Sequence, residues 1–292
     1  MTSTVHRFLF EKLNIRGALV QLGETWQHMQ QDRDYQPVVA KLLGETAAVT
    51  ALIAAQLKQS GRLTLQLRGN GPVQLLVLDC NEKLQIRGMA RSNPVVLAAP
   101  AHTLLGAEQG GQLMMSLDTP DARQPYQSFV PLVGNTIAEI FEHYLEQSEQ
   151  QPSKLLATAN EQGAACLFLQ KMPDADGCDP DGWNRISQLG TTVKSEELLE
   201  LDAVTLLTRL FHDEMAGSGV RLYDPMTVVY HCPEDWDKVR DMIRGLGRED
   251  AESIIAEHGE ILIRDDICNR DYRFSPEAVA ELFDATSGQN LH

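Results

Sequence analysis

Five cysteines, Cys80, Cys166, Cys178, Cys232 and Cys268, are the residues of this chain best suited to chemistry, as metal ligands, redox partners or nucleophiles. Their number is odd and their spacing wide, which is not the pattern of a disulfide framework. Cys80 and Cys166 lie in apolar, strand-like runs, where a thiol is expected to be buried and inert. Cys178 sits in the loop DADGCDPDG, where Asp176 and Asp179 disfavour the thiolate and make it a poor nucleophile. Cys232 and Cys268 stand apart. They flank a polar helical segment in the stretch Tyr230–Phe274, from YHCPEDWDKV to DDICNRDYRF, around which the rest of the chain is organised.

Other chemistry is poorly supplied. The eight histidines, at positions 6, 28, 102, 143, 212, 231, 258 and 292, form no metal motif among themselves, and His28 and His143 read as surface or packed residues of helices. There is no G-x-S-x-G elbow and no H-E-x-x-H pair. Gly69-Asn70-Gly71-Pro72 lacks the GxxxxGK(S/T) pattern and falls between strands, so it reads as a turn. Carboxylate pairs such as Glu196-Glu197 and Asp265-Asp266 read as solvated faces. The chain therefore reads as a protein that is not an enzyme. A net charge of −16 and a pI near 4.9 argue against a nucleic-acid partner, which needs a basic face. No run approaches the roughly 18 apolar residues of a transmembrane helix, so no membrane partner is expected. MTSTVHRFLF has neither an apolar core nor a cleavage site of a secretory signal, and the expected location is the cytoplasm.

The elements that must position these residues follow from periodicity. Residues 5–30 alternate at first and then carry Leu19, Leu22 and Trp26 at helical spacing. Pro37 opens a helix running to about Lys58, whose alanines at 47, 48, 51, 54 and 55 admit close neighbours, as in a central buried helix. Leu63, Leu65 and Leu67 alternate with polar residues, and strands at Val73–Leu78 and Leu84–Met89 complete an antiparallel meander. Further strands are expected at Gln112–Leu117, Tyr126–Leu132, Lys154–Ala159 and Ala164–Lys171, with a helix capped by Asn135 between the second and third. From Met172 the composition shifts to a solvated connector. Ser195 and Asp202 can each cap a helix, Met215–Gly219 is a break, and Val220–Val229 reads as extended with a turn at Asp224-Pro225. Runs of strands punctuated by helices indicate an α+β fold: an antiparallel-sheet-and-helix core over 1–178, a helical linker over 179–229 and a small C-terminal module over 230–292.

Several stretches together resemble the bacterial redox-regulated chaperonin family of heat-shock holdases. They are HRFLFEKLNIRGALVQLGET, GRLTLQLRGNGPVQLLVLD, LQIRGMAR, KSEELLELDAVTLLTRLFHDE, VRLYDP and CNRDYRFSPEAVAELF, and the likeness runs in order through essentially the whole chain. It implies ATP-independent capture of unfolding client proteins under oxidative stress, a C-terminal zinc-binding module, and activation by oxidation that releases zinc, forms two disulfides and unfolds the linker. In the family a C-x-C pair and a C-x-x-C pair hold the metal. Here those positions read Cys232, Glu234, Asp265 and Cys268, so half the thiolates have become carboxylates.

Structural zinc takes four ligands, most often thiolate and imidazole, so a mixed set on Cys232 and Cys268 with Glu234 and Asp265 is chemically possible but less distinctive. The other possibility is a module folded without metal, with Trp236, Ile263 and Ile267 as apolar filling and Arg264 or Arg270 pairing the carboxylates. The family's two-disulfide switch needs a partner thiol beside each cysteine, which Glu234 and Asp265 cannot supply. The resemblance places Cys232 and Cys268 at one zinc position, within the roughly 4.4–6.8 Å between Cα atoms that a single bridge requires. In the linker, Leu198, Leu199, Leu207, Leu210 and Phe211 are expected to bury an apolar stripe against the core and to regulate client binding. The resulting reading is a holdase with redox and zinc control lost or altered, a possible homodimer when active. The alternative is a metal-independent interaction protein on the same scaffold.

Overall fold

The computed structural model describes residues 2–57, 59–217 and 219–287. The chain divides into two compact units, Met1–His231 and Cys232–His292. In chain order the first contains β1 (Thr4–Phe10), β2 (Ile15–Leu22), α1 (Glu24–Gln30), α2 (Pro37–Gln56), β3 (Arg62–Arg68), β4 (Val73–Asn81) and β5 (Gln85–Ser92). There follow the one-turn α3 (Ala101–Leu104), β6 (Gln112–Asp118), β7 (Tyr126–Val130), α4 (Ile137–Glu149), β8 (Ser153–Ala159) and β9 (Ala164–Lys171). The one-turn α5 (Ala175–Cys178), α6 (Gly182–Thr191), α7 (Ser195–Glu200), α8 (Ala203–Gly217), β10 (Val220–Leu222), β11 (Met226–Thr227) and β12 (Val229–Tyr230) complete it.

These strands make two six-stranded sheets. The first has the order β10-β1-β2-β9-β8, with β11 also paired to β1, and the second has the order β12-β5-β4-β3-β6-β7. The fold is α+β. Helix α2 lies between the sheets and shares one core with residues of both and with α4. Pro37 starts it after the extended Gln36, since a first-turn residue needs no backbone donor. From Leu42 to Leu52 it is buried on every side and mostly apolar all round, as a helix enclosed by other elements must be. Even Thr46 and Thr50 are buried, returning their hydroxyls to the carbonyls of Leu42 and Thr46 at 2.7 Å each. A Cβ on Gly44 would stand 2.6 Å from that of Ala159, so the glycine sets how closely the helix approaches β8. With mean hydropathy 1.7 over an 18-residue window, α2 is long and apolar enough to cross a membrane by composition, contrary to the expectation from sequence. The window is 72% buried inside the protein, which is where its apolar surface is used. Lys58, the expected end of this helix, lies outside the described residues.

Glu45 is the charged group in that helix with the least water. Burial pushes its carboxyl up to about 7, only partly opposed by Lys41 at 3.8 Å. A folded-state value above the unfolded one means the native state holds the extra proton between about 4.5 and 7. Glu45 therefore weighs least on stability below pH 4.5, and its cost grows as pH rises through 7. Replacing Glu45→Gln should raise thermal stability at pH 8 more than at pH 5. Equal gains at both values would show that Glu45 is not the titrating group.

Alternation along β1 divides the first sheet's two faces. Val5 joins the α2 core, while Phe8 and Phe10 point into a second cluster with Ile15, Leu19, Leu167 and Leu169. Helices α6, α7 and α8 cover that second face. Strands β2 and β9 are thus buried on both sides, which explains why Leu19 and Leu22, read from sequence at helical spacing, belong to β2 instead. Two expected caps also differ. Thr136, not Asn135, accepts the Glu139 amide at the start of α4, and Ser195 is the first residue inside α7, preceded by Lys194. Asp202 does cap α8, accepting the Thr205 amide at 3.0 Å. The break expected at Met215–Gly219 begins later, since α8 runs through Gly217, and Ser218 lies outside the described residues. The extended stretch after it adds strands to both sheets: β10 and β11 run antiparallel to β1, and β12 parallel to β5.

The second unit contains α9 (Trp236–Leu246), α10 (Arg248–His258), β13 (Ile261–Asp265), β14 (Arg270–Phe274) and α11 (Pro276–Ser287). Its polar segment is two helices, and β13 and β14 form an antiparallel hairpin. A small core of Val239, Ile243, Ala251, Ile261, Tyr272, Phe274, Val279 and Leu282 holds it together.

Candidate functional site

Asp265 faces Arg270 across the end of the β13–β14 hairpin, and the loop between them closes through Asn269 at φ 52, a left-handed conformation that asparagine tolerates. Cys268 is therefore carried in a tight turn and is buried. Cys232 lies just before α9, in a segment held to the hairpin by two further contacts. The Tyr272 hydroxyl accepts the Asp235 amide at 3.2 Å, and Arg270 Nη2 donates to the Cys232 carbonyl at 3.2 Å. In this setting Cys232 and Cys268 form a disulfide with Cα atoms 5.6 Å apart.

The two carboxylates are engaged elsewhere. Glu234 is exposed, accepts from the Trp236 indole nitrogen at 2.8 Å and has Arg270 Nε at 3.9 Å. Asp265 Oδ1 accepts from the amides of Ile267 and Cys268 at 3.0 and 3.1 Å, so it shapes the turn. Arg264 pairs with Asp271 at 2.6 Å, leaving Arg270 as the partner for Glu234. Trp236 stands edge-on to Tyr272 at 4.8 Å and to Phe274 at 5.7 Å, and Ile263 packs on the same core. The donor set does not fit zinc in this arrangement, because both sulfurs are joined to each other and the carboxylates of Glu234 and Asp265 accept from Trp236 and from the turn amides. Among the described residues no group of three or more His, Cys, Asp or Glu could hold a metal ion.

The remaining thiols sit as their contexts dictate. Burial pushes Cys80 up to about 12 and raises Cys166 further, while Cys178 is exposed. His28 faces the Tyr230 ring at 6.2 Å, and His143 meets the Gln147 amide at 3.0 Å.

Leu198, Leu199, Leu207, Leu210 and Phe211 are all buried, in the cluster on the outer face of the first sheet. Phe211 leaves helical geometry at φ −124 and kinks α8, placing its ring edge-on to Phe10 at 5.0 Å. Polar contacts also hold this layer. The buried Gln21 of β2 donates to the carbonyls of Leu198 and Leu201 at 2.9 and 2.8 Å, satisfying the end of α7. Arg185 of α6, which sequence reasoning did not single out, joins Asp179 at 2.9 Å to Glu214 of α8 at 2.5 Å. Those carboxylates hold its guanidinium charged well above its ordinary range. Its signal was its position beside the acidic connector. Arg185→Met leaves the Glu214 carboxylate in α8 without that guanidinium and is expected to weaken the layer by roughly 1–3 kcal/mol. Faster amide exchange in α8 than in β2 would confirm this, and unchanged exchange would refute it.

This is a two-unit α+β protein whose second unit carries the cysteine chemistry. The chain belongs to the Hsp33 protein family, whose description matches residues 3–275, and that family is one of molecular chaperones. It is 39% identical over 281 residues to the 33 kDa chaperonin of Methylobacillus flagellatus, covering 96% of this chain and 94% of that one. Identity to the 33 kDa chaperonin of Shewanella putrefaciens is 40% over 287 residues, covering 98% and 96%. The crystal structure of the 33 kDa chaperonin (heat shock protein 33 homolog) from Thermotoga maritima superposes with a TM-score of 0.78. It covers 99% of this chain and all of that one at 22% identity, a likeness of fold.

Proposed function

We propose that this protein is an ATP-independent holdase of the cytoplasm, which binds unfolding proteins and prevents their aggregation under heat or oxidative stress. The observation carrying this reading is the similarity to named chaperonins along nearly the whole chain. The layer α6–α8, with its buried leucines, is the element whose release would expose apolar surface to a client. Control differs from the family's zinc-release switch, because Glu234 and Asp265 stand where two further thiols would be needed. With Cys232 and Cys268 already joined, peroxide has no dithiol there to oxidise. Activity is then constitutive or raised by heat.

Light scattering from a chemically unfolded client, without nucleotide, tests this reading. Suppression of aggregation is expected before and after peroxide treatment, with little difference between the two. A strict ATP requirement, or no protection at several-fold excess in either state, would overturn the holdase reading. Strong peroxide activation accompanied by zinc release would overturn the altered control.

A further inference from the structure

We infer that the outer edge of β7 is a docking strand for extended segments of unfolded proteins, which add to the second sheet as a further antiparallel or parallel strand. The inference rests on the holdase reading and names where the client is held.

A sheet edge presents unpaired N–H and C=O groups, and proteins normally blunt such edges with charge, proline, shortness or cover. The other edges are short, covered or charged: where β12 stops, β5 carries Arg87 and Arg91 and gives its Ala90 amide to the Tyr35 hydroxyl at 3.1 Å, and the edge strands β13 and β14 carry Arg264, Asp265, Arg270, Asp271 and Arg273. Strands β10, β11 and β12 are three, two and two residues long. The β8 edge is capped by α4, whose Glu142 accepts the Leu155 amide at 2.9 Å and binds Lys154 at 3.0 Å, while Glu146 accepts the Ser153 amide at 3.3 Å. Within its own span β7 has none of these devices, and Pro125 and Pro131, which bracket it, confine the open ladder to its five residues. It is five residues long, reads Tyr-Gln-Ser-Phe-Val without charge or proline, and among the described residues pairs only with β6. Among the described residues its contact to another element by side-chain hydrogen bond is Tyr144 to Ser128, which uses no backbone group of the strand.

The surroundings suit an apolar, extended occupant. Tyr126 and Phe129 are 67% and 61% exposed. Beside Phe129 opens a hollow of about 310 Å³ lined by Leu113, Val130, Pro131 and Leu132 among others. An open ladder next to an apolar hollow is the arrangement of strand addition, in which the backbone supplies affinity and a pocket accepts alternate side chains. Backbone recognition is indifferent to sequence, which is what a protein that holds many different unfolded chains needs.

The probe is a fluorescein-labelled heptapeptide of alternating valine and threonine, compared with the same peptide carrying proline at alternate positions, which cannot complete a ladder. Anisotropy should show binding to the full-length protein, weakened at least about tenfold by the prolines and likewise by the variant Gln127→Lys/Phe129→Lys. Both variant positions are exposed, so the fold should survive. A photo-cross-linker replacing Gln127 should capture an unfolded client far more often than one replacing Gln74, exposed on a central strand. Equal affinity for the two peptides, or equal capture at 127 and 74, would overturn the inference. So would a wild-type dimer that the lysine variant abolishes while peptide binding persists, since the occupant would then be a second copy. If the lysine variant protects clients as well as wild type, the holdase reading stands and the docking strand falls. If the edge binds peptide but wild type protects no client, the reverse holds.

Discussion

Reducing the Cys232–Cys268 bridge, or replacing both cysteines by serine, should loosen the C-terminal unit by about 4 kcal/mol, the chain-entropy value for a bridge between residues 36 apart. The unit has only about 60 residues and a core of eight buried apolar side chains among those described, a size at which a staple is a large share of total stability. Arg270 and Tyr272 would still tie Cys232 and Asp235 to the hairpin, but each such bond contributes only about 1 kcal/mol. Amide exchange in β13 and β14 should accelerate by between two and three orders of magnitude on reduction, with unit 1 unaffected. The chemistry is ordinary exchange: a dithiol donates two electrons and two protons, the S–S bond breaks, and the donor leaves as a disulfide. Exchange that does not change on reduction would mean that the aromatic core of Trp236, Tyr272 and Phe274 suffices. Oxidation is thus expected to close the unit, whereas the resemblance implies that oxidation opens it.

The second large effect is expected in the layer over the first sheet. Leu207 and Leu210 are 1% and 7% exposed, and burying a leucine contributes roughly 1.5–3 kcal/mol. Leu207→Asn/Leu210→Asn loses both contributions and places two amides in the apolar cluster around Phe8, Phe10 and Phe211. Protease cleavage within α7 and α8 should become fast, and client aggregation should be suppressed at a lower molar ratio than with wild type. Rapid cleavage without improved protection would mean that the layer is structural only. Unchanged cleavage and unchanged protection would count against a latch altogether.

The strands and the central helix were legible because their signals are local. Leu63, Leu65 and Leu67 alternate, and Pro37 marks a helix start whatever packs on it. What escaped was decided by tertiary contact. Leu19 and Leu22 carry a helix-like spacing because β2 is buried on both faces and no longer alternates. Helix α6 was missed because its buried positions, Ile186 and Gly190 with Trp183 and Leu189 half-buried, are spread among polar residues. The β13–β14 hairpin was hidden by charged neighbours, although Ile261, Ile263, Tyr272 and Phe274 do alternate. At the site, residue types told that only one bridge could form within the module. They could not tell that Asp265 would be spent on the turn or that Arg270, rather than Arg264, would meet Glu234, because both depend on hairpin register.

The segment β10–β12 has a consequence for synthesis. Phe8 pairs with Leu222 and Ile86 with Tyr230, so strands made early wait for residues made more than two hundred and more than one hundred positions later. While a ribosome is still translating the linker, β1 and β5 each have an open side, and the aromatic face carrying Phe8 and Phe10 has no α8 to cover it. Contacts this distant in sequence form late and slowly. The nascent chain must therefore spend most of its translation as a species with bare strand edges, vulnerable to the very aggregation attributed to its clients.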